Sequence, residues 1–527
     1  MKTKLWYVLL LIVNFNYAQN FDNWIWAKIY GDNYIDNGNS IASDGKNIYV
    51  CGRYVNSINF GNGWNFATYV STPAGFLLKT DNNGNTIWAK NYFTNNTTNC
   101  TIVRTDNNNN ILMCGFTAGN SLSFGSTPLS NPTPGQNMFF VVKMDTTGNA
   151  IWANPLPPST HTITNLVTDN NNNIYLFGSF KGKYFVIGND SLKNSDTSGI
   201  TRDLFILKLN SNGTKIWMKN YFQIVNNAPV TEIGFGLCEN KNALYILFGY
   251  GNNNRVTALS SNSGSIKWTK EIVNSYCYQN SIAVQKNKNR LVFVVNTLTS
   301  IGNTNSIIDN YILTQPYIVI SDSSGNIENI KYPSNVPSTK LISVFTDNID
   351  NIYLTGTNTG TANVGGINFT YGVPFIVMFN DNLNFAYWGA TIQTNSNGII
   401  SEVVLDNSKN VYVCGNTGSN TSIKFGNINL TKTNSIDIFL AKIDGMVNVS
   451  ENYKSNIAFL VYPNPSSGTI YLKTSLNHSK IKIYNVLGQI VLESIVEKDE
   501  LLKFDLNPGM YFIQDEISNS FVKLIVQ

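Results

Sequence analysis

The sequence contains few of the residues that catalytic and nucleic-acid-binding sites usually need. It has two histidines, His161 and His478, and no GxSxG-like motif, so neither a nucleophilic triad nor histidine-based zinc catalysis is indicated. Charged residues make up only 13% of the chain, the formal net charge is +4, and no basic cluster is present. A surface that binds the phosphates of a nucleic acid is therefore not expected.

Long hydrophobic runs are also missing beyond the N-terminus. Lys2 and Lys4 precede the apolar run 5–13, and Ala18-Gln19 resembles a cleavage site, so residues 1–18 are predicted to be a signal peptide. That run is too short for a transmembrane helix, which needs about 20 residues, and no later segment reaches such a length.

Cysteine is sparse, and its spacing matches no metal site and no CxxC pair. Three of the six cysteines occupy the same place in a repeated phrase, YVCG or LMCG: Cys51, Cys114 and Cys414. Equivalent places in neighbouring repeats rarely bring Cα atoms within the roughly 7 Å that a disulfide needs. We therefore predict that these three residues are small buried hydrophobes.

Residues 75–90 read GFLLKTDNNGNTIWAK, which is two β-prone runs around a turn. Asn83-Gly84 predicts a type I′ turn, in which both central residues have positive φ. Similar phrases begin at residues 139, 204, 255, 316 and 374, and the weak copy at 316 has Glu328 where the others have tryptophan. The large area that an indole buries predicts packing between repeats rather than ligand stacking. The recurring residues are Trp26, Trp88, Trp152, Trp217, Trp268 and Trp388.

A second phrase, such as SIASDGKNIYVCGRY (40–54), reads as a strand, a polar turn and a strand ending at glycine. It recurs about every 60 residues, so each unit is a four-stranded meander, and the chain is predicted to be all-β, with a β-propeller over residues 19–445. The last unit lacks a fourth strand, and residues 23–31 have the sequence of one. This predicts seven blades closed by the N-terminal strand, with six or eight as alternatives.

The Asp/Asn-rich turns 81–85, 106–110 and 169–173 suggest calcium, because Ca²⁺ prefers carboxylate and amide oxygens. No bidentate glutamate follows at the required spacing, and hairpin turns use the same residues. We therefore expect no cofactor, with calcium as the alternative.

Loops on one face of the propeller carry the candidate ligand-binding residues. Aromatic rings among Asn and Ser side chains suit recognition of carbohydrate or protein. The first b–c loop (55–75) also contains Phe66. The candidates are Tyr34, Trp64, Tyr69, Tyr276, Tyr278 and Tyr311, and each could instead pack its loop onto the blades.

A glycosidase would need two facing carboxylates on the same face. No motif marks such a pair among the acidic candidates Asp36, Asp203, Glu232, Asp309 and Glu402. The repeats loosely resemble Trp-containing propeller repeats of quinoprotein-like and secreted bacterial proteins. Quinone-dependent dehydrogenase activity is not expected, because the vicinal cysteine pair frequent in that family is missing.

The C-terminal residues differ from the repeats. Residues 446–456 read as a linker, and FLVYPNPSSGTIY (459–471) is followed by an apolar strand ending in Gly-Gln and by LNPGMY (506–511). Residues 457–527 thus resemble the type A sorting domain of type IX secretion, a small β-sandwich. The motif residues are Tyr462, Pro463, Asn464, Pro465, Gly488, Gln489, Pro508, Gly509 and Tyr511.

This resemblance implies export by the type IX machinery of a Gram-negative bacterium, followed by release or attachment to the outer cell surface. The sequence favours a non-enzymatic binding protein with a glycan or protein ligand on the loop face. The alternatives are a secreted carbohydrate-active enzyme that uses carboxylates on that face, and a purely structural surface protein.

Overall fold

The computed structural model describes residues 19–20, 24–69, 71–157, 162–297, 306–333, 339–358, 360–369, 373–384, 386–394, 398–419, 422–432, 435–444, 459–462, 466, 468–474, 477–485, 489–498, 501–515 and 520–526. The predicted signal peptide, the linker and His161 lie outside these residues. The described part is all-β and includes no helix that is long and apolar enough to cross a membrane. The chain divides into two compact units, Met1–Met446 and Val447–Gln527.

The first unit consists of antiparallel four-stranded meanders, whose strands we call a to d in each sheet. Strands a are Asn37–Ser43, Thr98–Thr105, Thr162–Thr168, Glu232–Asn240, Ile282–Gln285, Thr339–Thr346 and Ile399–Leu405. Strands b are Ile48–Tyr54, Ile111–Thr117, Ile174–Lys181, Ala243–Tyr250, Arg290–Thr297, Ile352–Asn358 and Val411–Asn416. Strands c are Ala74–Thr80, Met138–Met144, Arg202–Leu209, Asn253–Ser260, Tyr317–Asp322, Pro374–Phe379 and Ile438–Ile443.

Strand d follows strand c in the chain in the first six sheets, but not in the seventh. There, Trp24–Tyr30 pairs with Ile438–Ile443, so the N-terminal strand supplies the fourth strand that the last repeat lacks. The other strands d are Thr86–Tyr92, Ala150–Leu156, Lys215–Tyr221, Ile266–Val273, Ile327–Lys331 and Ala386–Gln393. Strand a of each sheet contacts strand a of the next, and strands a of the seventh and first sheets are also in contact.

Six sheets carry a small hairpin between strands b and c. The fourth sheet instead joins these strands by a short turn at residues 251–252. The hairpins are Ser57–Asn59 with Asn65–Ala67, Ser121–Phe124 with Thr127–Ser130, Tyr184–Ile187 with Asp190–Lys193, Ser306–Ile308 with Tyr311–Leu313, Ala362–Val364 with Ile367–Phe369, and Ser422–Phe425 with Ile428–Thr431. Short strands Gln19–Asn20, Ile224–Val225, Ala228–Pro229 and Ser275–Tyr276 complete the unit.

The recurring tryptophans pack between sheets, which confirms the prediction. Trp88 in the first sheet donates its indole N–H to the carbonyl oxygen of Thr146, in the c–d turn of the second sheet, at 3.3 Å. The same contact joins Trp26 to Asn82, Trp152 to Ser211, Trp217 to Ser261 and Trp268 to Ser323.

The c–d turns differ from the predicted type I′ geometry. Asp81 O accepts the Gly84 N–H at 3.1 Å, and Gly84 has a φ of 76°, whereas Asn83 is not among the residues with positive φ. The register shifts between Lys79 and Thr80. The connection is therefore a type I turn followed by a glycine in the left-handed region and a bulge, the other common way to close a short hairpin.

The structure corrects the prediction that Glu328 replaces tryptophan in the fifth sheet. Asn329 occupies the position of the tryptophan, because it pairs with Ile320 of strand c just as Trp88 pairs with Lys79 in the first sheet. The side chain of Asn329 donates a hydrogen bond to Asn382 O at 2.7 Å. Glu328 lies one residue earlier and forms an ion pair with Arg290. Asn329 thus makes the contact with the next sheet that an indole makes elsewhere.

A lysine of strand c donates to the same carbonyl oxygen as the tryptophan, a contact that was not predicted from the sequence. Lys79 Nζ donates to Thr146 O at 2.9 Å, and burial lowers the pKa of this lysine. Corresponding contacts join Lys143 to Ser211, Lys208 to Ser261 and Lys442 to Asn82. The signal was present in the sequence, because each of these lysines stands two residues before the Asp or Asn that opens the turn.

The second unit has two sheets that share one apolar core, as a β-sandwich does. The first sheet contains Phe459–Tyr462, Thr469–Thr474 and Leu501–Asp505. The second contains Ile490–Glu497, His478–Asn485, Gly509–Asp515 and Ser520–Val526. Tyr511 is buried and donates its hydroxyl to Asn507 O at 2.9 Å.

Candidate functional site

Glu402 lies at the centre of a polar cluster formed by strands a of several sheets. Its Oε2 accepts hydrogen bonds from the Ser40 hydroxyl at 2.6 Å and from the Ile41 N–H at 3.1 Å. Its Oε1 is 2.7 Å from Arg104 Nη2. Strand a of the seventh sheet is thus linked to strands a of the first and second sheets through one carboxylate.

Asn280, which precedes strand a of the fifth sheet, extends this cluster. It donates to Glu402 Oε1 at 3.3 Å and accepts a hydrogen bond from Asn165 Nδ2 of the third sheet at 3.0 Å. The side chains of Glu402 and Arg104 are 12% and 23% exposed, so the ion pair is largely shielded from water.

This environment does not suit glycoside hydrolysis, which needs two carboxyl groups across a sugar. Among the described residues, the partners of Glu402 are a guanidinium, a hydroxyl, an amide and a backbone N–H, and none is a second carboxylate. Asp309, another acidic candidate, forms an ion pair with Lys270 at 2.5 Å.

The other three acidic candidates are buried rather than exposed on the loop face. Asp203 accepts hydrogen bonds from the N–H and hydroxyl of Ser195, which accounts for both its oxygens. Burial raises the pKa of Asp36 to about 7 and that of Glu232 to about 8. Glu232 Oε2 has no hydrogen-bond partner among the described residues.

Three of the six aromatic candidates are exposed. Tyr69 is 75% exposed, Tyr311 46% and Tyr34 38%. The ring of Tyr69 lies 5.4 Å from that of Phe93, and Tyr311 is at the tip of the hairpin in the fifth sheet. Tyr34 follows the seventh strand d, and its N–H donates to Asp32 at 2.8 Å.

The remaining three candidates are half-buried. Trp64 packs against the apolar clusters of the first and second sheets, so it holds its hairpin in place. Tyr276 and Tyr278 lie before strand a of the fifth sheet, with ring centroids 5.7 Å apart at an interplanar angle of 79°. They are the one pair of candidates for which a direct ring contact is found in the described part of the chain.

The Asp/Asn-rich turns use their carboxylates internally. Asp106 Oδ1 accepts the N–H groups of Asn108 and Asn110 at 2.9 Å each, and Asp106 also forms an ion pair with Lys143. Asp169 and Asp406 bond their turns in the same way. Within the described residues, no group of three acidic, histidine or cysteine side chains is arranged to hold a metal ion.

All six cysteines are buried and unpaired, in agreement with the prediction for Cys51, Cys114 and Cys414. Burial raises the pKa of the Cys114 thiol well above its ordinary value. These thiols are therefore poor nucleophiles and act as apolar core side chains.

The successive four-stranded antiparallel meanders of the first unit are those of a β-propeller. The chain is similar to a structure described as the Dos1 propeller, with 10% identity and a TM-score of 0.37 over 80% of this chain and 96% of that one. It is also similar to YCF48 bound to D1 peptide (10% identity, TM-score 0.36, 81% and 96% coverage) and to the polysaccharide lyase Uly1 (8%, 0.40, 78% and 90%). The search of curated proteins found no match.

Residues 460–527 match the family described as the secretion system C-terminal sorting domain. The type IX sorting domain expected from the motifs is therefore confirmed. Of those motif residues, Gln489, Pro508, Gly509 and Tyr511 are described, together with the backbone of Tyr462, while Pro463, Asn464, Pro465 and Gly488 lie outside the described residues. The tail indicates a secreted or cell-surface protein that interacts with the type IX secretion machinery.

Proposed function

We propose that the protein is a secreted or surface-attached binding protein, built on a seven-bladed β-propeller that its N-terminal strand closes. Its ligand, a glycan or a protein, contacts the face that carries the b–c and d–a loops. Two contacts support closure: Trp24–Tyr30 pairs with Ile438–Ile443, and strands a of the first and seventh sheets touch. A closed ring leaves no free edge between its first and last repeats.

The observation that carries the binding proposal is the combination of exposed loop tyrosines with a neutralised central carboxylate. The side chains of Tyr34, Tyr69 and Tyr311 are exposed, while Glu402 forms an ion pair with Arg104. Aromatic faces beside amide side chains suit sugars and peptides. Carboxylate catalysis on this face has no comparable support, so the carbohydrate-active enzyme is the weaker alternative.

A glycan-array screen of the secreted protein, with and without calcium, tests the proposal. Saturable binding to a defined glycan supports it, and the Tyr34→Ala or Tyr311→Ala variant should then weaken binding at least ten-fold. Ile216→Ala, on strand d of the third sheet and away from these loops, is the matched control. Calcium dependence would reopen the metal alternative for the Asp/Asn turns.

Trp64→Ala is a poor test of binding, because Trp64 packs against two core clusters and its removal would unfold its surroundings. Tyr69→Ala probes the same loop at an exposed position. If neither a glycan nor a protein ligand is found, and the tyrosine variants leave every surface phenotype unchanged, the binding proposal is wrong. A purely structural surface role would then be favoured.

A further inference from the structure

In six sheets, the b–c hairpin inserts an apolar side chain beside a ring of strand c. The five phenylalanine pairs have centroid distances between 4.6 and 5.5 Å, and the fifth sheet uses leucine beside tyrosine. The pairs are Phe60 with Phe76, Phe124 with Phe140, Phe185 with Phe205, Leu313 with Tyr317, Phe369 with Phe375 and Phe425 with Phe439.

The hairpin side chain fills a slot between two neighbouring sheets. In the second sheet, the ring of Phe124 lies 5.0 Å from Phe140 and 5.0 Å from Tyr92, the last residue of strand d in the first sheet. In the first sheet, Phe60 lies 5.3 Å from Tyr30 in the same arrangement. The slot therefore has one wall from strand c and one from the preceding strand d.

In the fourth sheet the two wall residues, Tyr221 and Phe248, are buried, and no b–c hairpin within the described residues inserts a side chain beside them. In the second sheet, Gly115 of strand b pairs with Phe140 of strand c. At the equivalent place in the fourth sheet, Phe248 of strand b pairs with Arg255 of strand c, so the ring comes from strand b instead. Tyr221 ends the preceding strand d, as Tyr92 does. Because the fourth sheet lacks a b–c hairpin, a cavity of about 240 Å³ remains, lined by Tyr221, Phe248, Ile246 and Thr257 among others.

The rim of this cavity is apolar and exposed. Phe222 and Ile266, which both line it, are 44% and 59% exposed, and Ile224 and Val225 beside Phe222 are also exposed. Clustered exposed apolar side chains next to a cavity indicate an interaction surface.

The outer edge of the preceding strand d is also open. In the fourth and sixth sheets, a hairpin strand from the next sheet pairs with the end of strand d, as Ile272 with Ile308 and Ile392 with Phe425. No strand within the described residues pairs with this edge of Lys215–Tyr221. In these two sheets the place beside the end of strand d is therefore occupied by an extended segment, whose hairpin carries Leu313 in one case and Phe425 in the other.

We propose that the cavity between the third and fourth sheets is a docking site for an extended segment of a partner protein. One aromatic side chain of the segment enters the cavity that Tyr221 and Phe248 line, and the backbone of the segment pairs with residues 220–222. The cavity is smaller than the roughly 300–1,000 Å³ of sites that hold whole small molecules, which favours a single side chain. None of the loop tyrosines lines this cavity, so the proposal does not depend on ligand binding by those tyrosines.

A peptide that copies one of the chain's own hairpins is the sharpest probe. Residues 119–132 (GNSLSFGSTPLSNP) contain Phe124, and a fluorescent version can be titrated into the secreted protein. We expect saturable binding, at least ten-fold weaker binding of the Phe124→Ala peptide, and slower amide exchange at residues 220–223 and 246–248.

Two protein variants and a control complete the test. Thr257→Phe places a ring in the cavity, and Ile266→Glu charges the rim at an exposed position that tolerates the change; each should reduce binding at least ten-fold. Ile151→Glu, an equally exposed position on strand d of the second sheet, should have no effect. If Thr257→Phe does not fold, Ile266→Glu decides.

Three results would overturn the proposal: no saturable binding of the peptide, binding that is indifferent to the loss of Phe124, or binding that Ile266→Glu leaves intact. A dimer of the secreted protein that dissociates in Ile266→Glu, measured by sedimentation, would also overturn it, because the occupant would then be a second copy of this chain.

Discussion

Trp26 lies so close to Gly84 that a Cβ atom on residue 84 would be 2.9 Å from the indole ring. The same contact recurs between Trp88 and Gly148, where the Cβ would be 3.1 Å from the ring. Glycine is therefore required at this position of the turn for two reasons: the backbone has a positive φ, and the indole ring of the neighbouring sheet leaves no room for a Cβ atom.

Gly84→Ala should destabilise the first unit by more than its backbone strain alone. Adding a Cβ at a position with positive φ lowers the free energy of unfolding by about 1–2 kcal/mol, and the clash with Trp26 lowers it further. Chemical denaturation measures the change. Gly125→Ala, with a φ of 66° and open space around it, is the matched control. Equal losses in the two variants would show that the indole contact is not tight.

Asn329 and Leu383 replace the usual tryptophan and glycine together, so they should be energetically coupled. Leu383 is fully buried with a φ of 62°, in the turn that Asn329 contacts. Asn329→Trp alone should clash with Leu383, and Leu383→Gly alone should leave a cavity. The double variant should recover at least about 1 kcal/mol relative to the sum of the single variants.

The double-mutant cycle needs a distant pair for comparison. Asn329→Trp combined with Leu122→Ala, in the hairpin of the second sheet, should be additive within about 0.5 kcal/mol. Additivity for Asn329 and Leu383 as well would contradict the coupling.

Arg104→Ala should cost more stability than breaking an ion pair at the surface. The variant leaves Glu402 largely buried without its cation, and because the pair is partly exposed we expect a loss of about 2 kcal/mol. Asp309→Asn, which breaks the more exposed pair with Lys270, should cost less than about 1 kcal/mol. A loss for Arg104→Ala no larger than for Asp309→Asn would mean that Arg104 does not stabilise the cluster.

Stability should respond to pH through Glu232. Its pKa in the folded chain is raised to about 8 by burial, so the folded state holds a proton that the unfolded state releases above about pH 4.5. The stabilisation that results from this difference in pKa is fully present below pH 4.5, decreases as the pH rises towards 8, and is lost above that value. The slope can reach about 1.4 kcal/mol per pH unit.

Glu232→Gln should flatten the decline between pH 5 and 8, measured as the unfolding free energy at several pH values. Ile216→Ala, which alters an exposed side chain that has no titratable group, should leave the shape of the profile unchanged. Parallel profiles for the wild type and Glu232→Gln would show that this carboxyl is ionised in the folded chain.

Deletion of residues 457–527 should stop export across the outer membrane, because residues 460–527 are the sorting domain. Immunoblots of medium, cell surface and periplasm measure the distribution, and the truncated chain should accumulate in the periplasm. The tail fused to a folded reporter should direct that reporter out of the cell. Efficient secretion of the truncated protein would contradict this role.

The strands, the repeat, the packing of the tryptophans between repeats and the sorting tail could all be predicted from the sequence. These features depend on local patterns, which are alternating β-prone residues, Asn/Asp/Gly turns and fixed motif spacing. Which residues meet across sheets depended on the tertiary structure, because the partners are far apart in the chain: 53 residues for Asn329 and Asn382, and 298 for Arg104 and Glu402. The tertiary structure moved the fifth contact from Glu328 to Asn329, paired Glu402 with Arg104, and buried Asp36 and Glu232. The cavity beside Tyr221 could be found only there, because it arises from a hairpin that one sheet lacks.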